Sequence, residues 1–261
     1  LHLSLRRQRQ MCIRDRDYAG MIQSVDENIG KIINKIEELG LSENTLFIFT
    51  SDNGGIRAIS SQSPLRAGKG SYYEGGIKVP LIFSWRGKIK EGSKSYERVS
   101  NIDFFPTIQK IVGYKNNDLK LDGVDLNPIF EGRNIEKRAL FYHFPIYLQA
   151  YNVQEDNGTD PLFRTRPGSV IIKDNWKLHH YFENNKKELY NIENDISESY
   201  DLSKVNVQKT KELFNSLNLW REANNAPIPF EKNIKYDQKF VDSINLLIID
   251  GKLSGRINTN W

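Results

Sequence analysis

Apolar residues at Met21, Ile22, Val25, Ile29, Ile32, Ile33, Ile36 and Leu39 recur at three- and four-residue steps, with Lys31, Asn34, Lys35, Glu37 and Glu38 between them. That period predicts an amphipathic helix closed by Gly40, which can take the left-handed C-cap conformation. Residues 45–50, TLFIFT, are apolar or β-branched with no polar alternation. Such a run suits a strand covered on both faces, as in the parallel sheet of an α/β domain. A second run of the kind, VPLIFSW, occupies residues 79–85. Asp103 then stands as an N-cap, with Pro106 in the first helical turn and Ile108, Ile111 and Val112 on one face before Gly113. Helix, strand, loop, strand, helix predicts an α/β sandwich.

The pattern changes after about Arg138. SVIIK and WKLHHYF flank the turn DNW, and KKELYNI follows a turn at Asn184 and Asn185. These predict a small antiparallel sheet. Leu213, Phe214, Leu217 and Trp220 mark a helix that ends near the NNAPIP breaker. The chain therefore divides into a leading segment 1–16, an α/β part over 17–138, and a C-terminal α+β subdomain with its tail over 139–261.

Between the two apolar runs lies TSDNGGIRAISSQSPLRAGKGSYYEGG, residues 50–76. In open α/β sheets ligands gather at the carboxyl ends of strands, and Asp52 with Asn53 stands just past TLFIFT. Neighbouring strand residues point to opposite faces, so both reach one ion only where the backbone leaves the strand; Gly54 and Gly55 permit that. A carboxylate beside a carboxamide oxygen is a hard pair, suited to Ca²⁺ or Mg²⁺ rather than Zn²⁺. Lys69, between Gly68 and Gly70, can lay a compact positive charge against an oxyanion. Together, cation and lysine would neutralise a sulfate or phosphate and the charge developing on it. Spacing alone equally fits an Asx turn and a solvated loop tip.

Charge removes one false lead. The formal net charge is +4, but residues 1–16 carry Arg6, Arg7, Arg9, Arg14 and Arg16 against Asp15, 5 − 1 = +4, so the other 245 residues are neutral overall. The basic balance therefore gives no ground for a nucleic-acid partner. No apolar core follows Arg9, which argues against a signal peptide. A solvated basic arm is one reading of this segment. The preferred one is that MCIRDR is a translated sequencing-library end joined to a broken reading frame, which predicts native sequence from about Asp17. Cys12, the single cysteine, belongs to that segment, so disulfides are not expected. No unbroken apolar run approaches the ~18 residues of a membrane span.

Three stretches together, TLFIFTSDNGG, PLRAGKGSYYEGGIKVPLIFSWRGKI and SNIDFFPTIQKIVG, resemble the second half of the sulfatase family, in order. LDGVDLNPIFEG and ELYNIENDISESYDLS resemble its later segments, so the similarity runs from about Asp17 to Ser203. The resemblance implies an alkaline-phosphatase-like α/β fold: a large mixed sheet between helices, with a smaller C-terminal four-stranded sheet and helix. It implies that Asp52 and Asn53 are ligands of one active-site calcium and that Lys69 contacts the substrate sulfate. Arg66 shares the motif without an implied catalytic role. The nucleophile it implies is a formylglycine made from the first residue of a C/S-x-P/A-x-R motif, and no such motif stands after Asp17. The expectation is a truncated sulfatase, calcium-dependent and acting on a sulfate ester of a carbohydrate, inactive as this polypeptide alone. Export to the periplasm or medium is expected by the same resemblance.

Two other readings stay open: a two-zinc phosphatase or phosphodiesterase of the same superfamily, which Asn53 disfavours, and a non-catalytic fragment. His143, in LFYHFPIYLQAY at the junction of the two parts, is a candidate substrate contact, although flanking aromatics suit a packed histidine. His179 and His180 alternate along a predicted strand, so one at most is expected inside, and both read as structural. Trp176 and Tyr181 read as core or sheet-face residues.

Overall fold

The computed structural model describes residues 2–114, 119–149 and 163–229, with side chains from Arg16 onward. Helix α1 spans His2–Glu38, beginning well before the apolar stripe, because no glycine or proline interrupts the Arg-, Gln- and Leu-rich leading segment. It closes as the period predicts: Gly40 takes φ 66°, and the Leu41 amide donates to the Ile36 carbonyl at 3.0 Å. Among the described residues most of its stripe is uncovered: Met21 is 66% exposed, and only Ile29 and Ile36 are half-buried.

Strand β1 (Phe47–Thr50) pairs with β2 (Leu81–Ser84), Phe47 opposite Ser84, and the pair runs antiparallel. The parallel arrangement suggested by the unbroken apolar runs is thus corrected. Parallel neighbours need a crossover, normally a helix of several turns, whereas residues 51–80 hold only the four-residue helix α2 (Glu74–Ile77). Nor are both faces covered, since Ile82 is 57% exposed. Asp103 stands at the N-cap position read from sequence but makes no side-chain cap bond there: Ser100 caps the turn before it, and Asp103, fully buried, accepts from the Ser100 amide (2.7 Å) and the Val124 amide (3.0 Å) and pairs with Arg138. Its carboxylate ties three chain segments together, ahead of α3 (Phe104–Ile111) and α4 (Asn127–Phe130).

The C-terminal subdomain holds β3 (Ala139–Phe144), the short pair β4 (Leu148–Gln149) and β5 (Phe163–Thr165), then β6 (Gly168–Lys173), β7 (Trp176–Tyr181), β8 (Lys186–Asn191) and α5 (Val207–Ala223). The main sheet is antiparallel in the order β3-β6-β7-β8. Asp174 (φ 52°) and Asn185 (φ 53°) turn the two hairpins in the left-handed region that Asp and Asn tolerate. The two hairpins and the helix match expectation, whereas β3 does not announce itself among the aromatics of LFYHF. The predicted tail beyond residue 229 lies outside the described residues.

Each face of this sheet is covered. On one, Ile171, Leu178 and Leu189 pack with Leu213 and Leu217 of α5. On the other, Val170, Ile172, Tyr181 and Tyr190 pack with Ala67, Tyr72 and Tyr73 of the glycine-rich loop. Strand alternation therefore sends His179 to the loop face and His180 to the α5 face, where they are 0% and 7% exposed. Both histidines lie inside, against the expectation of one. Trp176 packs against the α5-side cluster and Tyr181 is buried on the loop side, as read from sequence.

Candidate functional site

The loop between β1 and β2 is woven from two glycine-rich stretches. The Gly54 amide donates to the Gly76 carbonyl, the Lys69 amide to the Gly55 carbonyl and the Gly75 amide to the Arg66 carbonyl, each at 2.9 Å. Backbones meet so closely here that a Cβ on Gly54 would stand 1.7 Å from the Gly75 oxygen, and one on Gly75 would stand 2.3 Å from the Ala67 oxygen. Only glycine permits this approach.

The weave brings residues 52–55 and 66–70 into one structure. Asp52 is exposed, while Asn53 and Lys69 are half-buried. Asn53 Nδ2 donates to Asp52 Oδ1 at 2.6 Å, and Ser51 Oγ donates to the Asn53 carbonyl at 2.9 Å. Among the described residues Asp52 Oδ2 and Asn53 Oδ1 accept no hydrogen bond, so one carboxylate and one carboxamide oxygen remain available as hard donors. That donor set fits calcium in kind and supplies two of the six to eight oxygens it takes. No group of three or more His, Cys, Asp and Glu side chains is arranged for a metal among the described residues. Arg164 holds the lysine's turn from the subdomain: Nη1 donates to the Lys69 carbonyl (3.2 Å) and Nε to the Gln149 carbonyl (2.7 Å).

His143 is not brought to this place. Alternation along β3 puts it on the α5 face, across the sheet from the loop. Its Nδ1 meets Ser169 Oγ at 2.8 Å, its Nε2 meets the Pro227 carbonyl at 2.9 Å, and its ring lies near Phe182 and Trp220. Burial lowers its pKa, and both ring nitrogens are engaged.

What anchors the loop is a buried ionic clasp. Lys177 Nζ lies 3.0 Å from both Glu74 Oε1 and Glu198 Oε1, with all three residues essentially excluded from solvent. Glu198 Oε2 accepts from the Glu74 amide (2.6 Å), and His179 Nε2 meets Glu198 Oε1 at 3.2 Å. Beside it, Glu188 accepts from Tyr73 (2.7 Å), Tyr190 (3.0 Å) and Lys186 (2.7 Å), while Arg66 donates to the Glu198 carbonyl (2.8 Å). Burial alone would raise the Glu198 carboxyl, but Lys177 and His179 outweigh it and hold the pKa below the ordinary carboxylate value. Burial lowers the pKa of His179, against the opposing pull of the hydrogen bond to Glu198. The only sequence signal for this clasp is that Lys177, His179 and Glu188 alternate with apolar residues, a pattern that equally describes an outward polar face.

Two family profiles cover most of the chain: that of the sulfatases matches residues 9–114, and that of the C-terminal part of N-sulphoglucosamine sulphohydrolase matches residues 68–223. The chain belongs to the sulfatase family. It is 36% identical over 81% of its length to a sulfatase of Formosa agariphila, and 35% identical over 54% to human steryl-sulfatase. Among solved structures, Ps i-CgsB in complex with k-i-k-neocarrahexaose superposes on 92% of the chain with a TM-score of 0.66 at 28% identity. The chain spans 40%, 26% and 49% of the lengths of these three proteins. The alkaline-phosphatase-like fold expected from the motifs is therefore the fold it has in part, with the antiparallel sheet and helix as its smaller unit. No helix of the described residues is long and apolar enough to cross a membrane.

Proposed function

We propose that this chain is the C-terminal part of a sulfuric ester hydrolase that cleaves sulfate esters of a carbohydrate, with the loop 50–76 as its contribution to the active site. The carrying observation is the weave that ties Lys69 to Gly55, two residues from the Asp52–Asn53 pair. In this reading Asp52 and Asn53 would hold one Ca²⁺, which would supply positive charge to the bound oxyanion. Lys69 places its ammonium against the same group, and Arg164 fixes the turn from which the lysine reaches. The lysine contact would gain strength as charge grows on the sulfate oxygens during S–O cleavage, which is how a fixed charge lowers a barrier. The covalent step is assigned by resemblance to a formylglycine, and no C/S-x-P/A-x-R motif stands after Asp17.

A carbohydrate substrate is supported by the likeness to the hexaose-bound structure, which reaches over 92% of the chain. Location in the periplasm or outside the cell accords with a polymeric glycan substrate. The site reading is tested by elemental analysis and calcium titration of the purified chain. Calcium binding that Asp52→Ala weakens at least tenfold supports it; zinc binding at the loop, with no response to calcium, would favour the two-zinc phosphatase instead.

A further inference from the structure

The two faces of the subdomain sheet treat charge differently. On the loop face, Glu74, Glu188 and Glu198 stand against Arg66, Lys177 and Lys186, and the charges cancel. On the α5 face, Arg221 is 5% exposed, and no carboxylate oxygen of the described residues lies within 4.0 Å of it or of neighbouring Lys187. Arginine is rarely so buried without a counter-charge, because desolvating the guanidinium is costly.

Its partners are neutral. Arg221 Nη1 donates to His180 Nδ1 at 2.9 Å, Nη2 donates to Asn218 Oδ1, and the guanidinium lies 5.4 Å from the Phe182 ring centroid. Lys187 Nζ sits 4.2 Å from the Phe214 centroid and donates to Asn185 Oδ1 at 2.9 Å; the same oxygen accepts from His180 Nε2 at 2.8 Å. Burial, with these two cations, pushes His180 down to about 4. Arg221, Asn218 and Asn225 line an open depression of about 360 Å³ together with Glu222, Ala226 and Ile228. Glu222 is the one acid in that lining and stands beyond ion-pair distance. The C-terminus of α5 offers Arg221 only about half a negative charge.

We propose that Arg221, with Lys187 and Asn218 beside it, forms an oxyanion-binding site for a sulfate-ester or carboxylate group, across the sheet from Lys69. His180 and Asn218 hold Nη1 and Nη2 in place at the wall of the depression, each nitrogen keeping a second N–H, and an arriving oxyanion would supply the counter-charge that the described residues lack. This site does not depend on the catalytic reading of the loop.

The test follows the His180 imidazole of the 261-residue chain by NMR while inorganic sulfate or acetate is added at constant ionic strength, with chloride as the control. Saturable shifts and an upward movement of the His180 pKa are expected, because a bound anion relieves the repulsion from Arg221 and Lys187. Lys187→Met should weaken the affinity about tenfold, and Lys69→Ala should leave it unchanged. Arg221→Lys keeps the charge but loses the fork, and should weaken binding as well. Saturation by sulfate alone assigns the sulfate-ester class, and by acetate alone the carboxylate class. Shifts that chloride reproduces, or an affinity that Lys187→Met leaves unaltered, overturn the proposal.

Discussion

At the scale of the residue, the dominant object is Lys177, fully excluded from solvent between Glu74 and Glu198. An ion pair of this kind adds little or no net stability over an apolar filling, but breaking one side strands the other. Lys177→Met leaves two buried carboxylates facing a thioether, and a loss of about 3–5 kcal/mol is expected in denaturant unfolding. Titration gives a second expectation. His179 and His180 are held below the ordinary histidine value by burial, His180 at about 4. Below pH 6.5 the unfolded chain takes up protons that the folded chain refuses, so stability falls as pH drops from 6.5 toward 4. The fall should be on the order of 2–3 kcal/mol for His180, and His180→Asn should flatten that window. Glu188 and Glu198, depressed in the fold, add a further loss only at lower pH, as they protonate.

At the scale of the element, hairpins were readable because turn residues and strand periods agree: DNW and the Asn184–Asn185 pair fall where left-handed residues are found. The β1–β2 orientation was not, because a short apolar run looks alike in parallel and antiparallel sheets. What decides it is the weave, whose Gly54–Gly76 bond returns the chain beside its starting point. The histidines were misjudged for a related reason, since alternation says which residues share a face and not whether the face is covered. The weave can be tested by adding one methyl. Gly54→Ala would drive a Cβ into the Gly75 carbonyl at 1.7 Å, with backbone on both sides and no flexible side chain to yield. A loss of ~3 kcal/mol or more is expected by thermal unfolding. Gly87→Ala, where nothing lies within 4 Å, should show only the smaller strain of its positive φ.

At the scale of the molecule, the subdomain holds the loop. Tyr72 and Tyr73 enter the sheet's core, Glu74 joins the clasp, and Arg164 grips the Lys69 carbonyl. A lysine on a glycine-flanked turn would otherwise be among the least fixed groups in the chain. The sequence motifs locate Asp52, Asn53 and Lys69, but nothing in them shows this anchoring, which comes from residues 95 positions away, as Arg164 is from Lys69, and 103, as Lys177 is from Glu74. The proposed function rests on this anchored turn binding sulfate beside the Asp52–Asn53 pair, which would hold one calcium. It is tested most directly by a residue-resolved amide NMR titration of the chain with sulfate in the presence of calcium. The account predicts saturable shifts at Asn53 and Gly68 to Gly70 that Lys69→Ala abolishes; saturable shifts there that persist in Lys69→Ala, or no response of the loop at all, would contradict it.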